Sequence, residues 1–114
     1  MQIALQLNQR TLIVSLTGEL DHHGAEQIRS LIERAITERD VKNLIFDFSA
    51  LSFMDSSGIG MIIGRYKLIH SLGGGVALVC TSPQMKKLVT MSGLARLIAV
   101  CPTVEQALSE VKGA

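Results

Sequence analysis

The sequence predicts an α/β fold in which an antiparallel β-hairpin is followed by singly wound, right-handed β-α units. Two short runs joined by Asn8-Gln9-Arg10 have apolar residues at every second position, which is typical of a hairpin with one buried face. From Ala25 onward the apolar period changes to three or four residues, as in an amphipathic helix. Helical and strand-like runs then alternate to the end of the chain, which favours parallel strands joined by crossover helices.

Each element after the hairpin has a start or stop signal of its own. The predicted elements are, in chain order, a helix after the capping residue Asp21, a strand over residues 43–49, a helix over 56–72 ended by three glycines, a strand over 76–80, a helix from Pro83 to near Gly93, a strand over 97–100 and a helix capped by Thr103. The order is β-β-α-β-α-β-α-β-α, in a single domain covering residues 1–114. The alternating first strands indicate one less covered sheet face and favour a singly wound layer, with a flavodoxin-like arrangement as the alternative.

Composition excludes several classes of protein. A chain of 114 residues that is 47% apolar can bury a core, and a net charge of +1 with scattered Lys and Arg argues against direct nucleic-acid binding. No apolar run approaches the roughly 20 residues of a membrane span, and no signal peptide is visible, so we expect a cytoplasmic protein without membrane contact. Cys80 and Cys101 lie in apolar surroundings and are expected to be buried, reduced thiols. The pair His22-His23 is a weak metal signal, and we expect neither metal nor cofactor.

The most informative segment is Leu51 to Gly60, which connects a predicted strand to a predicted helix. Asp55, Ser56 and Ser57 fall at the start of this helix, where free N–H groups and the helix dipole tolerate a phosphate well. They can equally be read as helix caps alone. A catalytic Ser56 would need a base and an oxyanion site, yet the Gly-x-Ser-x-Gly string is absent and no histidine stands at a recognised spacing. We therefore expect no enzyme.

Two further features are expected beside the serines. Because the carboxyl ends of parallel strands share one edge, the loop from Gly18 to His23, with Asp21, should lie next to the serine loop. On the second helix, Gly58, Met61 and Arg65 fall outside the apolar stripe formed by Ile59, Ile62, Ile63, Tyr66 and Ile69. This placement predicts a partner-binding surface, although Met61 could instead belong to the core. Gly60 and Gly64 indicate either tight packing on the sheet or close approach by a partner.

Four segments together resemble the STAS domain family, and within it the phosphorylatable anti-sigma factor antagonists of the sporulation sigma-F switch. They are Gly18-Glu-Leu-Asp-His-His23, Leu51-Ser-Phe-Met-Asp-Ser-Ser-Gly58, Gly64-Arg-Tyr-Lys67 and Met91-Ser-Gly-Leu94, and the resemblance covers nearly the whole chain.

The resemblance implies a STAS-like fold and a regulatory partner switch. The unphosphorylated chain would bind an anti-sigma factor that is also an ATP-dependent serine kinase, and so release the sporulation sigma factor. Phosphorylation of Ser56, the first serine after the aspartate, would end binding, and a serine phosphatase would restore it. The expected contact residues are Asp21, Asp55, Ser57, Gly58, Met61 and Arg65. The alternative is a STAS scaffold or a small-nucleotide-binding module without a phospho-switch.

Overall fold

Five strands form one sheet in the order β1-β2-β3-β4-β5 in the computed structural model, which describes residues 1–113. The strands are β1 (Gln2–Asn8), β2 (Thr11–Leu20), β3 (Asn43–Met54), β4 (Val76–Val79) and β5 (Ala99–Cys101). The α-helices are α1 (His22–Glu38), α2 (Ser56–Ser71), α3 (Pro83–Met91) and α4 (Val104–Lys112), with a 3₁₀ turn at Leu94–Arg96. Strand β1 is antiparallel to β2, and the other neighbours are parallel, which confirms the predicted order.

The two faces of the sheet are covered unequally. Helices α1, α2 and α3 pack on one face, where the main core includes Val14, Phe46 and Leu78. Helix α4 packs on the other face, over a smaller cluster that includes Ile45, Ala77 and Cys101 together with Ala107 and Val111 of the helix itself. All three crossover helices therefore share one face, as a singly wound sheet requires, and the second face has only the last helix.

The element boundaries differ from the sequence-based ones mainly around β3 and β5. Strand β3 continues past Ser49 to Met54 and pairs with the end of β2 through two register irregularities, between Ser15 and Thr17 and between Gly18 and Glu19. Such bulges break the strict alternation that marks a strand in the sequence, so the extension was not predicted. The 3₁₀ turn was also missed, and it displaces β5 to Ala99–Cys101.

The two cysteines are free and buried, as expected. Cys80 belongs to the helix-covered main core and Cys101 to the cluster under α4, so their side chains lie on opposite faces of the sheet. Burial raises the pKa of both thiols. No helix among residues 1–113 has the length and apolar character needed to cross a membrane.

Candidate functional site

The ends of β2 and β3 bring two helix N-termini together at one edge of the sheet. The backbone N–H of Asp55 donates to the carbonyl oxygen of Leu20 at 3.2 Å, which joins the two strand ends directly. Asp21 follows Leu20 and starts α1, and Ser56 follows Asp55 and starts α2. The expected adjacency of the Asp21 loop and the serine loop is thus confirmed.

Both aspartates are helix caps. The carboxylate of Asp21 accepts a hydrogen bond from the N–H of Gly24 at 2.8 Å. Asp55 accepts from the N–H groups of Ser57 and Gly58, at 2.9 and 3.2 Å. The hydrogen bond from Gly24, with a smaller contribution from the charge of His23, holds the pKa of the exposed Asp21 below its ordinary value. This edge of the sheet therefore presents two capping carboxylates beside the serines.

The neighbouring hydroxyls of Ser56 and Ser57 lie in different surroundings. Ser57 is half-buried, and its Oγ lies 3.3 Å from Nδ1 of His22 at the start of α1. Ser56 is exposed and borders an open depression on the α3 side of α2. Of these two hydroxyls, only that of Ser56 is solvent-exposed and makes no side-chain hydrogen bond within residues 1–113.

The depression next to Ser56 has an apolar lining that sequence reasoning did not assign to the site. We call it the serine-side patch, and it consists of Phe53, Ile59, Leu88 and Met91. Phe53 is 45% exposed and Met91 is 76% exposed, while Ile59 and Leu88 are half-buried. Met91 falls off the Met85-Leu88-Val89 stripe of α3, and that mismatch is the sequence signal that could have identified it. Phe53 lies on the irregular end of β3, where the alternation of apolar and polar residues does not predict which side chains are exposed.

Three residues predicted to form an exposed surface on α2 are not exposed. Met61 is only 6% exposed and belongs to the main core, and Gly58 is buried. The Arg65 side chain is 13% exposed, and its Nη1 lies 3.1 Å from Oε2 of Glu33 on α1. The prediction that these three residues form an exposed surface is therefore wrong. Helix α1 covers the side of α2 that carries Met61 and Arg65, and a helical period cannot reveal such a second covering helix. Gly58 is buried instead against Leu20 and Met54 at the ends of β2 and β3.

The contact between α1 and α2 also contains a polar cavity of about 300 Å³. Its lining includes His22, Arg29, Ser57 and Arg65. Within residues 1–113 the Nε and Nη1 atoms of Arg65 are buried and have no hydrogen-bond partner, so the 3.1 Å contact with Glu33 is an ion pair whose geometry does not make a hydrogen bond. Arg29 is paired with Glu26 at 2.7 Å and with Glu33 at 3.6 Å. The cavity between the two helices is thus lined by charged side chains, and both of its arginines are already paired with carboxylates.

The two helix glycines do not pack tightly on the sheet. A Cβ placed on Gly60 or on Gly64 would meet no atom within 4 Å. The interpretation that they allow close packing within the domain is therefore wrong. Across the described residues, no group of three or more His, Cys, Asp or Glu side chains is arranged to hold a metal ion.

The sequence and the fold of this chain match those of known proteins. The STAS domain model matches residues 2–107. The anti-sigma F factor antagonist of Paenibacillus polymyxa is 38% identical over 98% of this chain and 96% of its own length. The solved unphosphorylated anti-sigma factor antagonist SpoIIAA has a TM-score of 0.78 at 36% identity, covering 99% of this chain and 100% of that one. The phosphorylated form of the Bacillus cell fate determinant SpoIIAA has a TM-score of 0.75 at 38% identity, covering 96% and 98%. The chain therefore belongs to the STAS domain family.

Proposed function

We propose that this chain is an anti-sigma factor antagonist switched by phosphorylation of Ser56. In its unphosphorylated form it binds an anti-sigma factor that is also a serine kinase, and thereby releases a sporulation sigma factor. The proposal is supported by relatives of this function over almost the whole chain and by a related SpoIIAA solved in both forms. On this proposal the chain is a cytoplasmic regulator and not an enzyme, and its partners are proteins, not nucleic acid or membrane.

The observation that carries the proposal is the exposed hydroxyl of Ser56 at the first position of α2, beside the serine-side patch. An apolar patch flanking an accessible hydroxyl suits a partner that must both bind the surface and reach the oxygen. In the transfer step Ser56 Oγ attacks the γ-phosphorus of ATP, its proton passes to a base of the kinase, and ADP leaves. Hydrolysis by a serine phosphatase returns the hydroxyl and inorganic phosphate.

The same position explains how one phosphate can end binding without unfolding the domain. A phosphoserine adds about −1.5 to −2 charges, which the N-terminus of a helix tolerates. In a complex, however, that charge would be buried against the serine-side patch and beside the Asp55 carboxylate. Binding would therefore require the phosphate to lose its hydration. A loss of roughly 3–5 kcal/mol would weaken binding more than a hundredfold, because each 1.4 kcal/mol is a factor of ten.

We propose a contact set for this partner that differs from the one expected from the sequence. Asp21, Asp55 and Ser56 lie at the accessible edge, and we propose that they contact the partner together with Phe53 and Met91 of the serine-side patch. We assign the other four expected contact residues to support of the loop. Gly58, Met61 and Arg65 are covered by neighbouring elements, and Ser57 is half-buried beside His22.

The alternative of a small-nucleotide-binding module has one supporting observation, the charged cavity between α1 and α2. We do not favour it, since Arg29 and Arg65 of this cavity are already ion-paired with Glu26 and Glu33, respectively. Calorimetric titration with ATP or GTP in the absence of a protein partner distinguishes the two functions.

The decisive experiment is mass spectrometry after incubation of the chain with its cognate anti-sigma factor, magnesium and ATP. We expect one phosphate, located on Ser56. Ser56→Ala should take up no phosphate and still bind the anti-sigma factor, whereas the matched control Ser57→Ala should be labelled as the wild type. Labelling that survives Ser56→Ala and disappears in Ser57→Ala would overturn the assignment, and no labelling or binding of the wild type would overturn the function.

A further inference from the structure

The outer edge of β1 is an unprotected strand edge. Strand β1 stands at the end of the sheet and pairs with β2 on one side only, so its other backbone edge is open over Gln2–Asn8. Proteins usually block such edges with charged residues, proline or a bulge. This strand has none of the three: its sequence is Gln-Ile-Ala-Leu-Gln-Leu-Asn, and its pairing with β2 is regular throughout.

Apolar side chains accompany the open backbone. Leu5 is 44% exposed and Leu7 is 42% exposed, and both line a groove between β1 and α1. The α1 rim of this groove carries Arg34, Glu38 and Arg39, which have charges of both signs. The edge therefore offers backbone hydrogen bonds together with an apolar stripe beside a mixed-charge rim.

We infer that β1 is a self-association edge, on which a second copy of this chain adds its own β1 in antiparallel orientation about a two-fold axis at Leu5. In that register Ile3 stands opposite Leu7 of the other copy and Leu5 opposite Leu5, so the three large apolar residues of the strand meet one another. On the other face Gln2 meets Asn8 and Ala4 meets Gln6. The uncharged strand places no like charges opposite each other, and the two-fold symmetric pairing uses the same edge of both copies.

The energetics favour a reversible dimer of moderate strength. Pairing seven residues adds about six to eight backbone hydrogen bonds between the copies. It also covers part of the exposed Leu5 and Leu7. Arg34 and Glu38 on the α1 rim are already ion-paired with each other at 3.6 Å, so the association rests on the strand pairing and not on the charges of the rim. The proposal is independent of the function proposed above, because Ser56 follows β3, two strands away from this edge, and stays accessible in the dimer.

Cysteine cross-linking tests both the association and its register. A cysteine at the two-fold centre, Leu5→Cys, would face its own copy at a Cα separation of about 4.5–5.5 Å, within the disulfide range of about 4.4–6.8 Å. Leu7→Cys would be separated from its copy by four residues of strand, roughly 14 Å, and should not cross-link. The native Cys80 and Cys101 are buried, so wild type under the same mild oxidation gives the background.

Sedimentation at rising protein concentration provides the second measurement. The wild-type mass should rise from 12.3 kDa toward twice that value. Leu5→Lys should remain a monomer, because it charges the edge. Its matched control is Leu97→Lys, which alters a leucine that is also 44% exposed but lies next to β5 at the opposite side of the sheet, and it should dimerise like the wild type.

Three results would overturn the inference. They are a wild type that stays monomeric at every concentration, cross-linking of Leu7→Cys as fast as Leu5→Cys, or equal dimerisation of the Leu5→Lys and wild-type chains. Because none of these measurements involves an anti-sigma factor, their failure would leave the phospho-switch unaffected.

Discussion

Gly58 packs against Leu20 so closely that a Cβ on residue 58 would lie 2.9 Å from Leu20 Cδ2. The same Cβ would be 3.2 Å from the Cβ of Met54. The first turn of α2 is thus seated on the last residue of β2, directly before the cap Asp21. The close packing at residue 58 therefore requires the glycine of the Asp-Ser-Ser-Gly string, and this packing fixes the position of Ser56.

This contact predicts opposite effects for two glycine substitutions on one helix. Gly58→Ala gains helix propensity of about 1 kcal/mol but overpacks the buried Leu20 and Met54, at a cost of about 1–3 kcal/mol. We expect a net loss of about 1 kcal/mol in the free energy of unfolding. Gly60→Ala meets no atom within 4 Å and should gain roughly 0.5–1 kcal/mol. Denaturant melts of both variants measure the difference, and a stabilised Gly58→Ala would contradict the packing argument.

Met61 and Met91 allow a matched comparison of a substitution in the core with one on the proposed binding surface. Met61 is 6% exposed and Met91 is 76% exposed. Met61→Glu buries a carboxylate without a partner and should cost several kcal/mol, enough to unfold a domain of ordinary stability. Met91→Glu should melt like the wild type and bind the anti-sigma factor at least tenfold more weakly, because it charges the serine-side patch. Circular dichroism and calorimetric titration check the pair. A folded Met61→Glu with lost binding would restore the surface first predicted from the sequence.

The comparison of α2 with α1 shows what the sequence could and could not predict. The order of elements, the caps Asp21 and Asp55 and the adjacency of their loops follow from local periods, capping chemistry and the shared edge of parallel strands. The faces of α2 were misassigned because its polar Arg65 is buried by a second helix, a contact between distant segments that no local pattern encodes. Phe53 was missed because bulges remove alternation at the end of β3.

A phosphate mimic should separate the switch from the fold. Ser56→Asp places an acidic residue at the first position of α2, where the helix dipole favours it, so the melting temperature should change by only a few degrees. Binding to the anti-sigma factor should fall at least tenfold, while Ser57→Ala, the neighbouring control, should bind like the wild type. Gross loss of helical circular dichroism in Ser56→Asp would mean that the phosphate acts through the fold.

The cap at Asp21 predicts a defined pH dependence. The hydrogen bond from Gly24 lowers the folded-state pKa of Asp21 below its ordinary value of 3.8. Its ionised form therefore stabilises the folded chain fully above pH 3.8, and this contribution is lost as the pH falls through the folded-state pKa. Asp21→Asn keeps a capping side chain but cannot ionise. The difference in unfolding free energy between wild type and Asp21→Asn should be constant from neutral pH down to about pH 4 and shrink below it. A difference that grows on acidification would contradict this assignment.

The ion pair between Arg65 and Glu33 allows a test of whether Arg65 stabilises the domain or contacts the partner. Its side chain is 13% exposed and that of Glu33 is 39% exposed, so the pair is partly shielded from water and should couple by about 1 kcal/mol. A double-mutant cycle measures this coupling through the denaturant unfolding of Arg65→Met, Glu33→Gln and the double variant. Arg65→Met retains the apolar stem of the side chain and removes two buried nitrogens that have no hydrogen-bond partner within residues 1–113, so most of its cost should come from the lost ion pair with Glu33. On our assignment, all three variants bind the anti-sigma factor within threefold of the wild type. A loss of binding above tenfold in Arg65→Met, with zero coupling to Glu33, would place Arg65 in the partner interface instead.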